Sequence, residues 1–158
     1  MTVFGLLATW FGSGKLRPMP GTWGTAAAYP FAIPIALVAG WWGLLLAAVA
    51  LFALGVWISE RHSQELGLDD PGEIVIDEVV ALWLTLVPLC FDWKIWLVAF
   101  FAFRAADIAK PWPASWCDRR LHGGLGIMAD DVVAALYAAP ATALIGWLLW
   151  DQTCFPWS

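Results

Sequence analysis

Long apolar runs separated by short polar interruptions set the pattern of this chain. One runs from about Ala26 to Ala39, broken only by Pro30 and Pro34, and after Gly40 a second covers the 18 residues from Trp41 to Ile58. With only Gly40 between them, the two predict a helical hairpin. A polar stretch, 59–73, leads to a third run from Ile74 to Phe91, again 18 residues, which carries the adjacent acids Asp77 and Glu78. The tip Asp92-Trp93-Lys94 separates it from a fourth run, Ile95 to about Lys110, stopped by Pro111 and Pro113. A second polar loop, 111–131, precedes the 19 apolar residues from Val132 to Trp150. Residues 12–25 are rich in Gly and Pro and read as a loop. The apolar Val3–Trp10 has no basic residue before it, so it reads as an interfacial lead-in rather than a signal peptide.

Run lengths near 18 residues are those of membrane-crossing helices. The expected fold is all-α: one domain over residues 1–158, a polytopic membrane helical bundle of about four to five transmembrane or re-entrant helices. The third and fourth runs are short for a full crossing, which is why tilted or re-entrant helices belong to the expectation. Composition strengthens it. The chain is 61% hydrophobic and 13% charged, more apolar surface than a soluble domain this small can hide. Its thirteen Trp fit interfacial anchoring. A net charge of −5 excludes a nucleic-acid partner, which would need a basic face. The three cysteines are scattered, without metal-ligand spacing, and Cys117 reads as inert.

The charges also give a sidedness. Two short-tipped hairpins bring Lys15, Arg17, Arg61, Arg104, Lys110, Arg119 and Arg120 to one side and leave only Lys94 on the other. By the positive-inside rule the basic side is cytoplasmic.

On that side the acids gather. Asp77 and Glu78 open the third helix, Asp130 and Asp131 the fifth, and Arg104 and Asp107 share a face near the end of the fourth, with Lys110 one turn on. Carboxylates this close repel one another, and oxygen-rich acidic clusters are what Mg²⁺ binds. Such an ion would offset the charge, polarise a phosphate or activate a water. Taken singly, Asp77 or Asp130 also suits helix capping, and Arg104 with Asp107 an intrahelical ion pair. Capping uses one acid per helix and leaves the doublets unexplained. Two glycine-bearing loops adjoin the acids. One holds Ser13, Gly14, Lys15 and Thr22; the other, Gly123-Gly124-Leu125-Gly126, precedes Asp130. Backbone N–H groups ahead of a helix favour anions, although glycine loops are more often simply turns. His62 and His122 read as structural or solvated. Intramembrane acids also mark ion pathways, so a small ion- or proton-coupled transporter is one alternative. Another is a lipid-phosphate phosphotransferase, although its D-G-x-x-A-R type motif is absent.

Four blocks carry a resemblance. They are Gly12-Ser13-Gly14 through Pro20-Gly21-Thr22-Trp23-Gly24-Thr25; Asp70 with Ile74-Val75-Ile76-Asp77-Glu78; Phe103-Arg104-x-x-Asp107-Ile108-x-Lys110-Pro111-Trp112-Pro113; and Gly123-Gly124-x-Gly126-Ile127-Met128-x-Asp130-Asp131. In this order, over residues 12–135, the chain resembles bacterial phosphatidylglycerophosphatase A. Thr25, Ala81, Ala106 and Ala135 stand where that family usually has other residues, three of them beside the acids. The resemblance implies a Mg²⁺-dependent phosphatase of the bacterial inner membrane, multi-pass, with its site facing the cytoplasm. It would convert phosphatidylglycerol phosphate to phosphatidylglycerol in phospholipid biosynthesis. On that reading Asp77, Glu78, Asp130 and Asp131 hold the metal, joined in catalysis by Asp107. Lys15, Arg104 and Lys110 contact phosphate, and Ser13, Gly14 and Thr22 lend donors.

Overall fold

A computed structural model describes residues 2–150, and all the regular structure among them is helical. Helix α1 spans Val3–Ala8 and is followed by a single 3₁₀ turn at Ser13–Lys15. Helix α2, Pro20–Leu66, is broken at Gly40, whose φ of 61° and ψ of −160° lie outside helical space. A side chain resists that left-handed φ, and glycine adopts it freely. The two ends of α2 return to the same region: Met19–Gly21 line a cavity that Gly123 also lines, and Glu60 accepts a hydrogen bond from Gly124 N–H at 2.7 Å. The expected hairpin is therefore present, with arms longer than the apolar runs. Then come α3 (Ile76–Leu86), α4 (Trp93–Ala109), α5 (Ala114–Arg120) and α6 (Gly123–Trp150).

Helix α3 falls short of the 18-residue run Ile74–Phe91, ending at Leu86 just ahead of Pro88, whereas three other boundaries extend past the hydropathy reading, for one reason. Hydropathy marks where a helix leaves the apolar layer, whereas backbone bonding continues as long as the exposed polar residues tolerate it. The first arm begins at Pro20 instead of Ala26, with proline at a position where its missing N–H costs nothing. The second arm runs on to Leu66 through residues expected as loop, and stops at Gly67 in the left-handed conformation. Helix α6 starts at Gly123 rather than Val132, and α5 occupies part of the expected loop.

Helix α3 sits at the centre and packs on α2, α4 and α6. Val75, Val79, Val80, Ala81 and Leu82 are fully buried. At 11 residues it is about 16 Å long, roughly half of an apolar bilayer core. It is a short buried helix rather than a crossing, so the second short-tipped hairpin is re-entrant and its tip, with Lys94, stops short of the far side where the sequence reading puts it. Helices α2 and α6 are long and apolar enough to cross a membrane by length and composition. Small residues at the contacts let the backbones close in. A Cβ on Gly55 would lie 2.7 Å from the Met128 side chain, and one on Gly146 would lie 2.5 Å from Ile95. Ala81 and Ala135, beside the two acidic pairs, are buried as well, so these departures from the family pattern lie in the packing. The Trp10 and Trp83 indoles donate to the Ala27 and Ala28 carbonyls, in the turn ahead of Pro30 where a prolyl ring disturbs the helix ladder. Meanwhile Leu37, Val38, Leu46, Leu136 and Leu148 face outward, Val38 with 89% of its surface exposed. Apolar residues cover the outside of the long helices while polar ones collect inside at one end.

Candidate active site

The polar end is built from the start of α3. Val75 N–H donates to the Ala8 carbonyl at 2.9 Å, which anchors the chain just before the helix. Asp77 and Glu78 then fall in the first turn, at the positive end of the helix dipole, and no side chain caps that end. The Arg104 guanidinium on α4 binds Glu78 Oε1 at 2.8 Å and also pairs with Asp107 one turn along its own helix. Lys110 closes α4 in the left-handed conformation (φ 42°), and its ammonium lies 2.8 Å from Asp130 Oδ2 on α6. Asp131 beside it is buried.

These groups line an open cavity of about 400 Å³. Asp77, Glu78, Arg104, Asp107, Lys110, Asp130 and Asp131 all face it, so every acid expected at the site comes together from three helices with two of the expected cations. The first arm of α2 forms a further wall at Gly21. A Cβ there would sit 1.9 Å from Glu78 Oε1 and 2.8 Å from Arg104 Nη1, so any side chain would push the ion pair aside. Gly24, one turn later, leaves room chiefly for Val75, whose Cβ would lie 2.4 Å from an added Cβ, and then for Glu78 Oε2 at 2.9 Å.

Capping explains neither doublet. The N–H of Gly124 is taken by Glu60, far from Asp130 and Asp131, which lie about two turns inside α6. Three carboxylate oxygens in the cavity are buried without a hydrogen-bond partner: Asp77 Oδ1, Glu78 Oε2 and Asp131 Oδ2. Arg104 Nε is in the same state. Burial and mutual repulsion both oppose holding these carboxylates ionised together, and orphaned polar atoms of this kind call for a ligand. Among the described residues no three acidic, histidine or cysteine side chains converge into a ready-made ligand set. Mg²⁺ does not require one. It is commonly held by one or two carboxylates and completed by waters and substrate phosphate oxygens. The hard, unpartnered oxygens of Asp77, Glu78 and Asp131 can supply one or two such ligands.

Four expected residues lie outside the cavity lining. The Ser13 hydroxyl donates to the Thr9 carbonyl at 3.2 Å, and the half-exposed Lys15 stands 4.0 Å from Glu73. Gly14 presses on the backbone just before α3: a Cβ there would lie 2.0 Å from the Glu73 carbonyl oxygen. Thr22 sits in the first turn of α2 and does not line the cavity. The turn at Ser13–Lys15 thus supports the segment that carries Asp77 and Glu78. His62 is buried, with Nε2 2.8 Å from Glu73 Oε1, and is structural as expected. Gly21 lines the cavity although no local signal in the sequence ties it to Glu78. Asp69, Asp70 of the second block, and His122, expected as structural or solvated, line it as well, and the fold brings these loop residues to it.

Comparison with known proteins follows the same lines. The family model for phosphatidylglycerophosphatase A matches residues 6–146. The phosphatidylglycerophosphatase A of Escherichia coli (strain K12) is 42% identical over 144 residues, covering 89% of this chain and 82% of that protein. The phosphatidylglycerophosphatase A of Haemophilus influenzae is 38% identical over 146 residues, with 91% and 90% covered. A putative phosphatidylinositol-3-phosphatase of Bacteroides thetaiotaomicron is 34% identical over 151 residues, with 91% and 94% covered. No solved structure matches the chain.

Proposed function

Because the chain belongs to the phosphatidylglycerophosphatase A family, we propose that it hydrolyses the terminal phosphate of phosphatidylglycerol phosphate with Mg²⁺, yielding phosphatidylglycerol for phospholipid biosynthesis. The observation that carries this reading is the group of unpartnered oxygens on Asp77, Glu78 and Asp131, in a cavity that also holds Arg104 and Lys110. Carboxylates without partners beside two cations suit a ligand that is itself a cation joined to a phosphate.

One or two of Asp77, Glu78, Asp130 and Asp131 would hold the ion, and Lys110 turns from Asp130 toward the incoming phosphate. When bound, Mg²⁺ withdraws charge from the phosphate oxygens and screens the acids from one another. The remaining steps belong to the chain. Arg104 and Lys110 trade part of their carboxylate contacts for phosphate oxygens, which orients the phosphorus. Asp107 and Glu78 hold the guanidinium in place meanwhile. An Asp131 oxygen takes a proton from the attacking water as its oxygen bonds to phosphorus. The ester P–O bond breaks, and the departing glycerol oxygen takes a proton from solvent at the open mouth. Ser13, Gly14, Lys15 and Thr22 serve the site through the packing around α3 and α2.

The exposed apolar faces of α2 and α6 support seating in a bacterial inner membrane. The bias of Lys and Arg supports a cytoplasm-facing cavity at headgroup depth. The test is phosphate release by purified protein in detergent from phosphatidylglycerol phosphate. Release with Mg²⁺ that stops on chelation is expected. Equal release in a chelator overturns the metal assignment, and no release under either condition overturns the substrate.

A further inference from the structure

A second cavity, of about 450 Å³, opens between the first arm of α2 and the first half of α4. Its walls are Ala26, Tyr29 and Ile33 on one side and Trp93, Leu97 and Phe100 on the other. The polar groups of Tyr29, Trp96 and Asp92 there are already used. Tyr29 O–H donates to the Trp96 carbonyl at 2.7 Å, and the Trp96 indole donates to the Cys90 carbonyl at 3.0 Å. The single carboxylate there, Asp92, caps α4 by accepting from Lys94 and Ile95 N–H. The groove is therefore apolar in chemistry as well as in composition.

Its position identifies an occupant. On α4, Trp93, Leu97, Phe100, Arg104 and Ile108 recur at three- and four-residue spacing and share one face. The first three line the groove, and Arg104 and Ile108 line the catalytic cavity. On α2, Ala26, Tyr29 and Ile33 follow the same rule, just beyond Gly21 of the catalytic wall. One face thus runs from phosphate-binding chemistry into aromatic and aliphatic surface. From Arg104 to Trp93 the run is about 16 Å at the helical rise per residue, close to half of a bilayer core of about 30 Å. A chain hung from a headgroup held at Arg104 reaches that depth within one leaflet.

We propose that this groove seats a fatty acyl chain of the lipid substrate whose phosphate occupies the catalytic cavity. The proposal rests on the functional reading above and adds the recognition of the tail. The named relatives act on, or are named for, phosphatidyl lipids with different headgroups, so a diacyl anchor is what those names share.

The test pairs dioleoyl with dihexanoyl phosphatidylglycerol phosphate. Ala26→Trp fills one wall of the groove, and Leu97→Trp fills the other. Each variant is expected to raise KM for the dioleoyl lipid roughly tenfold, the effect of displacing about two methylenes, and to leave KM for the dihexanoyl lipid within about twofold. Equal losses on both lipids, or none on either, overturn the proposal. So does a change in oligomeric size with either variant, which would give the groove to a second copy of the chain. A second measurement stands apart from turnover. A dioleoyl phosphatidylglycerol phosphate analogue with a diazirine near the chain end should label residues 93–101, and unlabelled lipid phosphate should suppress the labelling where phosphatidylcholine does not. Equal suppression by phosphatidylcholine would make the groove a general lipid contact and overturn the proposal. If wild-type protein releases no phosphate from either lipid, the functional reading fails, and the labelling alone still decides the groove.

Discussion

Gly21→Ala tests the site at a single atom. The added Cβ would meet Glu78 Oε1 at 1.9 Å and Arg104 Nη1 at 2.8 Å, where ordinary contact begins at 3.4 Å. The backbone at Gly21 is helical and tolerates alanine, so the clash falls on the side chains. Glu78 has to retreat by more than 1 Å, which breaks its 2.8 Å contact with Arg104 and carries the guanidinium away from the position Asp107 shares. A displacement of about 1 Å at a reacting centre costs on the order of a hundredfold in rate, or about 2.7 kcal/mol of transition-state stabilisation. Stability should move less, because alanine is the better helix former by up to about 1 kcal/mol and offsets part of the lost ion pair. The assay is phosphate release under saturating Mg²⁺, with thermal unfolding measured on the same preparation. Glu78→Asp supplies the internal control, since it withdraws the carboxylate by one carbon–carbon bond, about 1.5 Å. In that background Gly21→Ala should cost less than tenfold, a coupling that a double-mutant cycle reads directly. Full activity in Gly21→Ala with an unchanged melting temperature would refute the argument. Equal losses in both backgrounds would show that the clash is not with Glu78.

Further outcomes follow from the same geometry. Asp131→Asn should lower turnover at least a hundredfold, the span of a lost proton acceptor, while the melting temperature measured in chelator holds or rises because a buried unpartnered carboxyl is removed. A large drop in melting temperature would make Asp131 structural. Glu60→Ala should destabilise the protein by about 1 kcal/mol through the loss of the acceptor for Gly124 N–H, read by denaturation, with KM for the lipid unchanged. Chelation of Mg²⁺ should lower the melting temperature as well as stop phosphate release, because the acids it screens would again repel one another.

The helical class and the hairpin at Gly40 were legible because long apolar runs leave few other solutions. The acids were legible because a charge in such a run needs a reason, and Asp77, Glu78, Asp107, Asp130 and Asp131 all reach one cavity. Helix ends were less so. The first nine residues of α6, Gly123–Asp131, are glycine-rich and acidic, and the Glu60 carboxylate that accepts Gly124 N–H at the helix start is distant in sequence. The same limit hid the work of the glycine loops. Ser13, Gly14 and Lys15 resemble an anion cradle when read along the chain, yet Gly14 is small because the Glu73 carbonyl presses on it. A close approach between distant segments leaves no periodicity to read.

The placement of Asp130 and Asp131 on α6 also bears on biosynthesis. Helix α6 follows all the other described elements in the chain, so a growing polypeptide has made Asp77, Glu78 and Arg104 well before their counterparts emerge. Until then Lys110 has no Asp130 to meet, and the cavity lacks one wall. A chain interrupted before α6 would still carry the apolar hairpin of α2 and could enter a bilayer without being able to hydrolyse anything. On the roles proposed for Asp130 and Asp131, catalytic competence arrives only when α6 docks, and aborted translation would leave inert fragments rather than half-working enzymes.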